Sequence, residues 1–164
     1  MRFLVPLDVR GCADQVVERA LWLAKLAPAT KLDLLVVVPP LAQGITELAV
    51  GERSCVLGGT LDEETAALLR GFALLVDKNA VLGDVLARNG VPVEQILTVC
   101  RERSPQMVIM GSHARTGLAR AVFGSVAESV LRHCTLPVLI EPAGRNVDEH
   151  PADVVLQADA EQCG

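Results

Sequence analysis

Aromatic residues are scarce in this sequence: among 164 residues there is no tyrosine, one tryptophan and three phenylalanines. Aliphatic side chains must therefore fill the core, because hydrophobic residues still make up 51% of the chain. Segments rich in Leu, Val and Ala are typical of parallel strands that are covered by helices on both faces. A chain of this length can form one domain with a large core, without help from metals or disulfides.

Basic residues are also in the minority, since the formal net charge is −5 at pH 7. Non-specific binding of nucleic acid needs a net basic surface, so we expect no nucleic-acid partner. The charge does not exclude a locally basic pocket for a small anion.

Long apolar runs and paired cysteines are missing as well. No window approaches the ~18 consecutive apolar residues of a membrane helix, and the apolar start MRFLVPLD is too short for a signal peptide. The five cysteines are odd in number, and neither they nor the histidines have the spacing of a zinc site or a C-x-x-C pair. We therefore expect reduced thiols, no metal site, no membrane contact and a cytoplasmic location.

Strand and helix patterns alternate along most of the chain. Short apolar runs predict five strands, at residues 3–7, 32–38, 83–88 and 107–110, with a last one that begins at Pro137 and ends at Ile140. Apolar residues at helical spacing predict four intervening helices, at residues 14–27, about 60–80, 92–104 and 125–134. Strands separated by helices should be parallel, which predicts a three-layer open α/β sandwich with helices on both faces of a five-stranded parallel sheet.

Two further regions carry local predictions. The segment 39–59 is rich in glycine and proline and has no sustained period, so we predict a long loop. Thr60 and Glu63 match a T-x-x-E capping box, and Ser125 and Glu128 match an S-x-x-E box. In the second box Ser125 either caps the helix or donates to a bound anion, because both uses exploit the unsatisfied N–H groups of a helix N-terminus.

Four separated blocks of the sequence carry distinctive motifs: VPLD at residues 5–8, VIMGSHARTGL at 108–118, GSVAESVL at 124–131 and LPVLIEP at 136–142. Together these blocks resemble the universal stress protein family. Their order and spacing fit the family over roughly residues 3–142. We therefore predict a universal stress protein domain at residues 1–142, followed by an acidic C-terminal tail at residues 143–164 that lies outside the resemblance.

The resemblance includes a nucleotide motif with one change. Family members that bind ATP carry Gly, two residues, Gly, nine residues, then Gly followed by Ser or Thr. Gly111, Gly124 and Ser125 match this pattern at intact spacing, while Ala114 occupies the position of the second glycine. If that position needs a positive φ, the methyl group costs about 1 kcal/mol and keeps a phosphate further from the backbone. At negative φ the alanine costs almost nothing.

The resemblance also implies the sheet order 3-2-1-4-5, which places a crevice at the carboxyl ends of the first and fourth strands. It implies that Asp8 contacts the base or ribose and that backbone near Val38 holds adenine. From its position beside the turn, Arg115 either neutralises phosphate or is a solvated surface charge. Asp8 likewise either binds ligand or caps the turn after its strand. The predicted nucleotide-binding residues are Pro6, Leu7, Asp8, Val38, Gly111, Ser112, His113, Ala114, Arg115, Gly117, Gly124, Ser125 and Val126.

These observations predict a regulatory module of the stress response that binds an adenine nucleotide, ATP or else AMP or ADP, with or without Mg²⁺. The alternative is a universal stress protein that has lost nucleotide and acts through a dimeric interaction surface. Adenylyl chemistry in the same crevice ranks third, because no nucleophile–base pair is evident, and we expect at most slow ATP hydrolysis. The last strand is an edge strand by family order. It either pairs with a second copy in a homodimer or is covered by the acidic tail.

Overall fold

The computed structural model describes residues 1–112 and 124–142 and shows an α/β fold built on a five-stranded parallel sheet. Its strands are β1 (Arg2–Leu7), β2 (Lys31–Val38), β3 (Ile45–Val50), β4 (Arg53–Leu61), β5 (Leu82–Asn89), β6 (Met107–Ser112) and β7 (Val138–Pro142). Its helices are α1 (Ala13–Leu26), α2 (Glu63–Lys78), α3 (Pro92–Arg103) and α4 (Ser125–His133). The sheet order is β5-β2-β1-β6-β7, and β3 pairs with β4 apart from it. This is the predicted order 3-2-1-4-5 when β3 and β4 are left out of the count, so the predicted fold class is confirmed.

The central strand β1 divides the core into two layers. Phe3, Val5 and Leu7 join the buried cluster that contains the inner faces of α1 and α2, whereas Leu4 joins the cluster that contains those of α3 and α4. Successive strand residues point to opposite faces, so a strand covered on both sides is apolar throughout. Among the described residues, no helix combines the length and hydropathy needed to cross a bilayer.

The neighbouring strands β1 and β6 stop pairing with each other well before their carboxyl ends. The ladder between β1 and β6 contains only Phe3 with Met107 and Leu4 with Val108, whereas β1 stays paired with β2 as far as Leu7. Pro6, which has no backbone N–H to donate, lies beyond the β1–β6 ladder. The chain leaves β1 towards β2 and returns on the other side at β6, so this opening coincides with the switch point of the sheet.

The prediction of a long loop at residues 39–59 is wrong, because most of this segment forms the antiparallel hairpin β3–β4. Gly51, at φ +59°, makes the tight turn between the strands. Leu48, Val50 and Leu57 are fully buried and belong to the same core cluster as α2. The hairpin therefore forms because one of its faces is buried in the core beside α2, which a search for a sustained period across the whole segment could not detect.

The predicted capping box at Thr60 is also wrong. Thr60 belongs to β4, and the N-cap of α2 is Asp62, whose Oδ1 accepts a hydrogen bond from the Thr65 backbone N–H at 2.9 Å. The aspartate takes the cap because β4 continues through Leu61, so the chain is free to enter the helix only after it.

Candidate nucleotide-binding crevice

A cavity of about 560 Å³ opens at the carboxyl ends of β1, β2 and β6. Its walls are mainly aliphatic and include side chains from both core layers, such as Val16 on the α1 side and Ile96 on the α3 side. Six of the residues predicted from the sequence line it: Pro6, Leu7, Asp8, Val38, Gly111 and Val126. The topology thus brings together positions from the start, middle and end of the chain.

Asp8 follows β1 directly and shapes the turn that leads into α1. Its Oδ1 accepts a hydrogen bond from the Arg10 backbone N–H at 3.2 Å, and its backbone carbonyl accepts one from Gly11 at 2.9 Å. The first of these bonds is that of a carboxylate that caps the turn after its strand, and the second is a backbone bond of the turn itself. A carboxylate has about four acceptor positions, so this role is compatible with contact to a ligand in the cavity that Asp8 lines.

Val38 ends β2 and lines the same cavity. Its carbonyl accepts a hydrogen bond from the Gly90 backbone N–H at 2.9 Å, which links the end of β2 to the residue after β5. A carbonyl oxygen has a second lone pair, so this bond does not exhaust its acceptor capacity.

Arg10 links the β1–α1 turn to the start of α2. Its Nη2 donates to Glu64 Oε2 at 3.0 Å and lies 3.5 Å from Asp62 Oδ1, and Asp62 and Thr65 line the cavity with it. Hydrogen bonds from the backbone and side chain of Thr65, followed by the charge of Arg10, lower the pKa of Asp62. The part of the cavity lined by Arg10 and Asp62 therefore contains a charged guanidinium and a charged carboxylate at neutral pH.

Gly111 has a packing role that the motif does not reveal. A Cβ at this position would lie closer to Cys12 Sγ than any real side-chain contact, and 3.0 Å from Val16 Cγ2. Only glycine lets α1 pack this closely against β6. Burial, together with the charges of Asp8 and Glu141, raises the pKa of the Cys12 thiol that fills this space. The thiol is therefore neutral at pH 7.

The start of α4 differs from the predicted capping box. Gly124 is the N-cap, Ser125 is already the first helical residue, and no side chain caps the helix. The Glu128 carboxylate accepts instead from Arg132 at 2.8 Å, one turn further along α4. The extended backbone of Gly124, at φ −59° and ψ 150°, explains the shift. Ser125 thus does not cap α4 in the predicted way.

Ser112, the last residue of β6, connects that strand to α4. It is buried, and its Oγ accepts a hydrogen bond from the Gly124 backbone N–H at 3.1 Å. Ser112, Gly124 and Ser125 are not part of the cavity lining, although their neighbours Gly111 and Val126 are. The hydrogen bond fixes the N-terminus of α4 beside the cavity.

A comparison with known families decides which family this fold and crevice belong to. The family model described as the Universal stress protein family matches residues 1–142. This chain belongs to the universal stress protein family. The Universal stress protein MJ0531 of Methanocaldococcus jannaschii is 26% identical over 144 residues, which cover 85% of this chain and 80% of that relative.

Solved structures of universal stress proteins share the fold. A universal stress protein crystallised in complex with cAMP superimposes with a TM-score of 0.61 at 17% identity, covering 87% of this chain and 96% of that one. A universal stress protein family protein from Arabidopsis thaliana with AMP bound gives a TM-score of 0.59 at 17% identity, covering 94% of this chain and 98% of that one. At these identities the likeness concerns the fold.

Four of the predicted nucleotide-binding residues of this universal stress protein lie outside the described residues: His113, Ala114, Arg115 and Gly117. The sequence analysis did not predict Arg10, Asp62 and Thr65, which line the cavity near the start of α2. One local signal was present, because Asp62 followed by two glutamates is typical of a helix N-terminus. Assigning the cap to Thr60 concealed it.

Proposed function

We propose that this universal stress protein binds an adenine nucleotide in the crevice and acts as a nucleotide-dependent regulatory module in the cytoplasm. The observation that carries the proposal is the cavity of about 560 Å³, which opens between Asp8 and Val126 at the switch point of the sheet. Its volume lies in the usual range for small-molecule sites, and its aliphatic walls suit a flat base. Relatives of the same fold that were crystallised with cAMP and AMP support adenine as the base.

The phosphates would lie towards α4. Gly124, Ser125 and Val126 form an N-terminus without a side-chain cap, where backbone N–H groups and the helix dipole favour an anion. Ser112 would hold this end in place through its bond to Gly124. Mg²⁺, where ATP is the ligand, would be bound through the phosphates. The base would lie between Asp8 and Val38.

The first experiment is a calorimetric titration of the full chain with ATP, ADP and AMP, each with and without Mg²⁺. We expect saturable binding that Asp8→Ala weakens and Asp14→Ala leaves unchanged. Asp14 is the matched control because it is exposed in the first turn of α1 and does not line the cavity. Absence of both heat and a thermal shift at millimolar nucleotide would remove the proposal and favour a nucleotide-free interaction module.

A second experiment separates the phosphate end from general loss of structure. Ser125→Asp adds a negative charge at the first residue of α4, which should keep or raise helix stability by about 0.3–1 kcal/mol. The same charge should weaken ATP binding about tenfold or more while adenosine affinity stays constant. Ser129→Asp, one turn further along α4, is the control and should affect ATP much less. Equal weakening of ATP and adenosine by Ser125→Asp would show that the phosphates lie elsewhere.

We also propose a homodimer through the fifth strand of the sheet, which was predicted to begin at Pro137 and end at Ile140. Within the described chain, β7 pairs with β6 on one side, and Val138, Leu139 and Ile140 are half-buried. An apolar edge favours antiparallel pairing with a second copy. Sedimentation of the wild type at increasing concentration should reveal a dimer, and Val138→Lys should shift it to monomer. A wild-type monomer at all concentrations would exclude this interface.

A further inference from the structure

The hairpin β3–β4 lies along one edge of the main sheet without joining it. Strand β5 is the outermost strand on that side, and β4 packs beside it, yet within the described residues no backbone ladder connects the two strands. Their backbones are in close contact, because a Cβ on Gly59 would lie 2.7 Å from the Ala87 carbonyl oxygen. The polar bonds between this hairpin and the sheet therefore involve side chains.

Asn89, the last residue of β5, makes three hydrogen bonds with its side-chain amide. Its Oδ1 accepts a bond from the Thr60 backbone N–H at 2.7 Å, and its Nδ2 donates to the Thr60 carbonyl oxygen at 2.9 Å. The same nitrogen donates to the Pro39 carbonyl oxygen at 3.2 Å. The amide group thus pairs with the backbone of Thr60 as a neighbouring strand would, and it also holds the segment that follows β2.

The backbone of Asn89 is itself anchored in the main sheet. Asn89 is paired with Val38 in the parallel ladder between β5 and β2. The N–H of the next residue, Gly90, donates to the Val38 carbonyl oxygen at 2.9 Å. The side chain therefore extends towards the hairpin from a backbone position that the sheet fixes.

Both segments held by Asn89 lead to residues that line the crevice. Pro39 lines the cavity directly, and Thr60 lies two residues before Asp62, which lines the cavity and caps α2. Asn89 does not line the cavity. Any effect of Asn89 on a ligand must therefore act through the residues that it holds in place.

We propose that Asn89 is a positioning residue for the base end of the crevice. Its side-chain amide sets the distance between the Pro39 side and the Asp62 side of the cavity, and hence the width available to a flat base. This inference rests on the proposed function, in which the base lies between Asp8 and Val38. Without the amide, the end of the hairpin would adopt several positions, and only a fraction of the molecules would be competent to bind.

The first test uses the full chain without nucleotide. In Asn89→Ala the Thr60 amide loses its acceptor, so its hydrogen exchange, measured by NMR, should become about tenfold faster or more. Arg53→Ala is the matched control, because Arg53 joins the other end of β4 to the sheet by donating to the Gly83 carbonyl oxygen at 2.9 Å. It should leave the Thr60 amide protected. Exchange of Thr60 at the wild-type rate in Asn89→Ala would overturn the proposal.

The second test titrates adenosine and ATP into the same variants by calorimetry. Asn89→Ala should weaken both ligands by the same factor of about ten, because both present the same base. Arg53→Ala should bind both as the wild type does. Wild-type adenosine affinity in Asn89→Ala, or an equal loss in the two variants, would overturn the role of Asn89 alone. A wild-type protein that binds neither ligand would overturn the proposed function itself, and with it this inference.

Asn89→Asp tests the donated bonds while keeping the size of the side chain. A carboxylate still accepts a bond from the Thr60 N–H, but it places negative charge against the Thr60 and Pro39 carbonyl oxygens in place of an N–H group. Adenosine binding should therefore weaken at least as much as in Asn89→Ala, and urea unfolding checks that each variant is folded. Wild-type adenosine affinity in Asn89→Asp would contradict the proposal, because the donated bonds would then have no part in positioning.

Discussion

Gly111→Ala tests whether this motif glycine is required by packing. The added Cβ would overlap Cys12 Sγ and lie 3.0 Å from Val16 Cγ2, so α1 and β6 would have to move apart. Overpacking a well-packed core typically costs about 1–3 kcal/mol, and we expect about 2 kcal/mol here. For a chain of this size that loss lowers the Tm by about 4–8 °C. Urea unfolding followed by circular dichroism would measure the free energy of unfolding.

Gly71 is the matched control because the same substitution should have the opposite sign there. It lies at an exposed position inside α2, and a Cβ built on it meets no atom within 4 Å. Alanine favours a helix interior over glycine by about 0.5–1 kcal/mol, so Gly71→Ala should stabilise the protein.

A double-mutant cycle identifies the atom responsible. Cys12→Ala removes the sulfur that blocks the new methyl group, so the double variant Cys12→Ala/Gly111→Ala should recover part of the stability lost by Gly111→Ala alone. A coupling free energy of about 1 kcal/mol is expected for residues in direct contact. Additive effects, or a Gly111→Ala variant as stable as the wild type, would refute the packing argument.

Three further predictions concern named polar contacts. Asp33→Ala should cost about 1–3 kcal/mol in urea unfolding, because it removes the acceptor of the Asp84 backbone N–H at 2.9 Å and of two 2.8 Å bonds from Arg2; an unchanged free energy of unfolding would contradict this. Burial alone would raise the pKa of Asp84, but bonds and charges from Arg103 and Arg2 lower it overall. The ionised carboxylate of Asp84 therefore stabilises the folded protein at pH values above about 4, the pKa of an aspartate in the unfolded chain. This stabilisation is lost as the pH falls through the lower pKa that Asp84 has in the folded protein. Asp84→Asn should therefore flatten the acid limb of a stability–pH profile, and an unchanged slope would argue against it. Ser112→Ala should cost about 1–2 kcal/mol, because it removes the buried acceptor of the Gly124 N–H; Ser54→Ala, at an exposed position in β4, is the control and should change little.

The sheet and its helices were predictable because each element carries its own signal. The residues from Leu34 to Val38 form a continuous apolar run, and α2 and α3 have apolar residues at helical spacing. The order of the strands came from the resemblance, because periodicity within one strand does not specify its neighbours. The hairpin β3–β4 was missed because its strands bury only one face and are separated by a single tight turn at Gly51. The interruptions of the apolar pattern in this segment therefore resembled those of a loop.

Some residues of the candidate site could likewise be predicted from the sequence, and others could not. Asp8, Gly111 and Val126 were found because a contiguous motif and the ends of strands mark their positions. The cluster of Arg10 with Asp62 and Glu64 joins positions more than fifty residues apart, and the hairpin lies between them in sequence. No local pattern carries that information. For Gly111 the sequence motif suggested a phosphate contact and gave no sign of the close packing against Cys12 and Val16 that the structure shows.

The charges around the crevice favour one orientation of a bound nucleotide. Among the described residues at the start of α2, the carboxylates of Asp62 and Glu64 both contact the guanidinium of Arg10, so these three side chains together carry one net negative charge. At the other end, the start of α4 presents the partial positive charge of a helix dipole. A polyphosphate at the α2 end would add like charge to an already acidic group, at a cost that grows as water is excluded. Donor groups such as an exocyclic amine or ribose hydroxyls fit the acidic end, which leaves the α4 end for phosphate. This polarity depends on Asp62 being the cap of α2, so the hairpin that precedes Asp62 would also orient a nucleotide bound in the crevice.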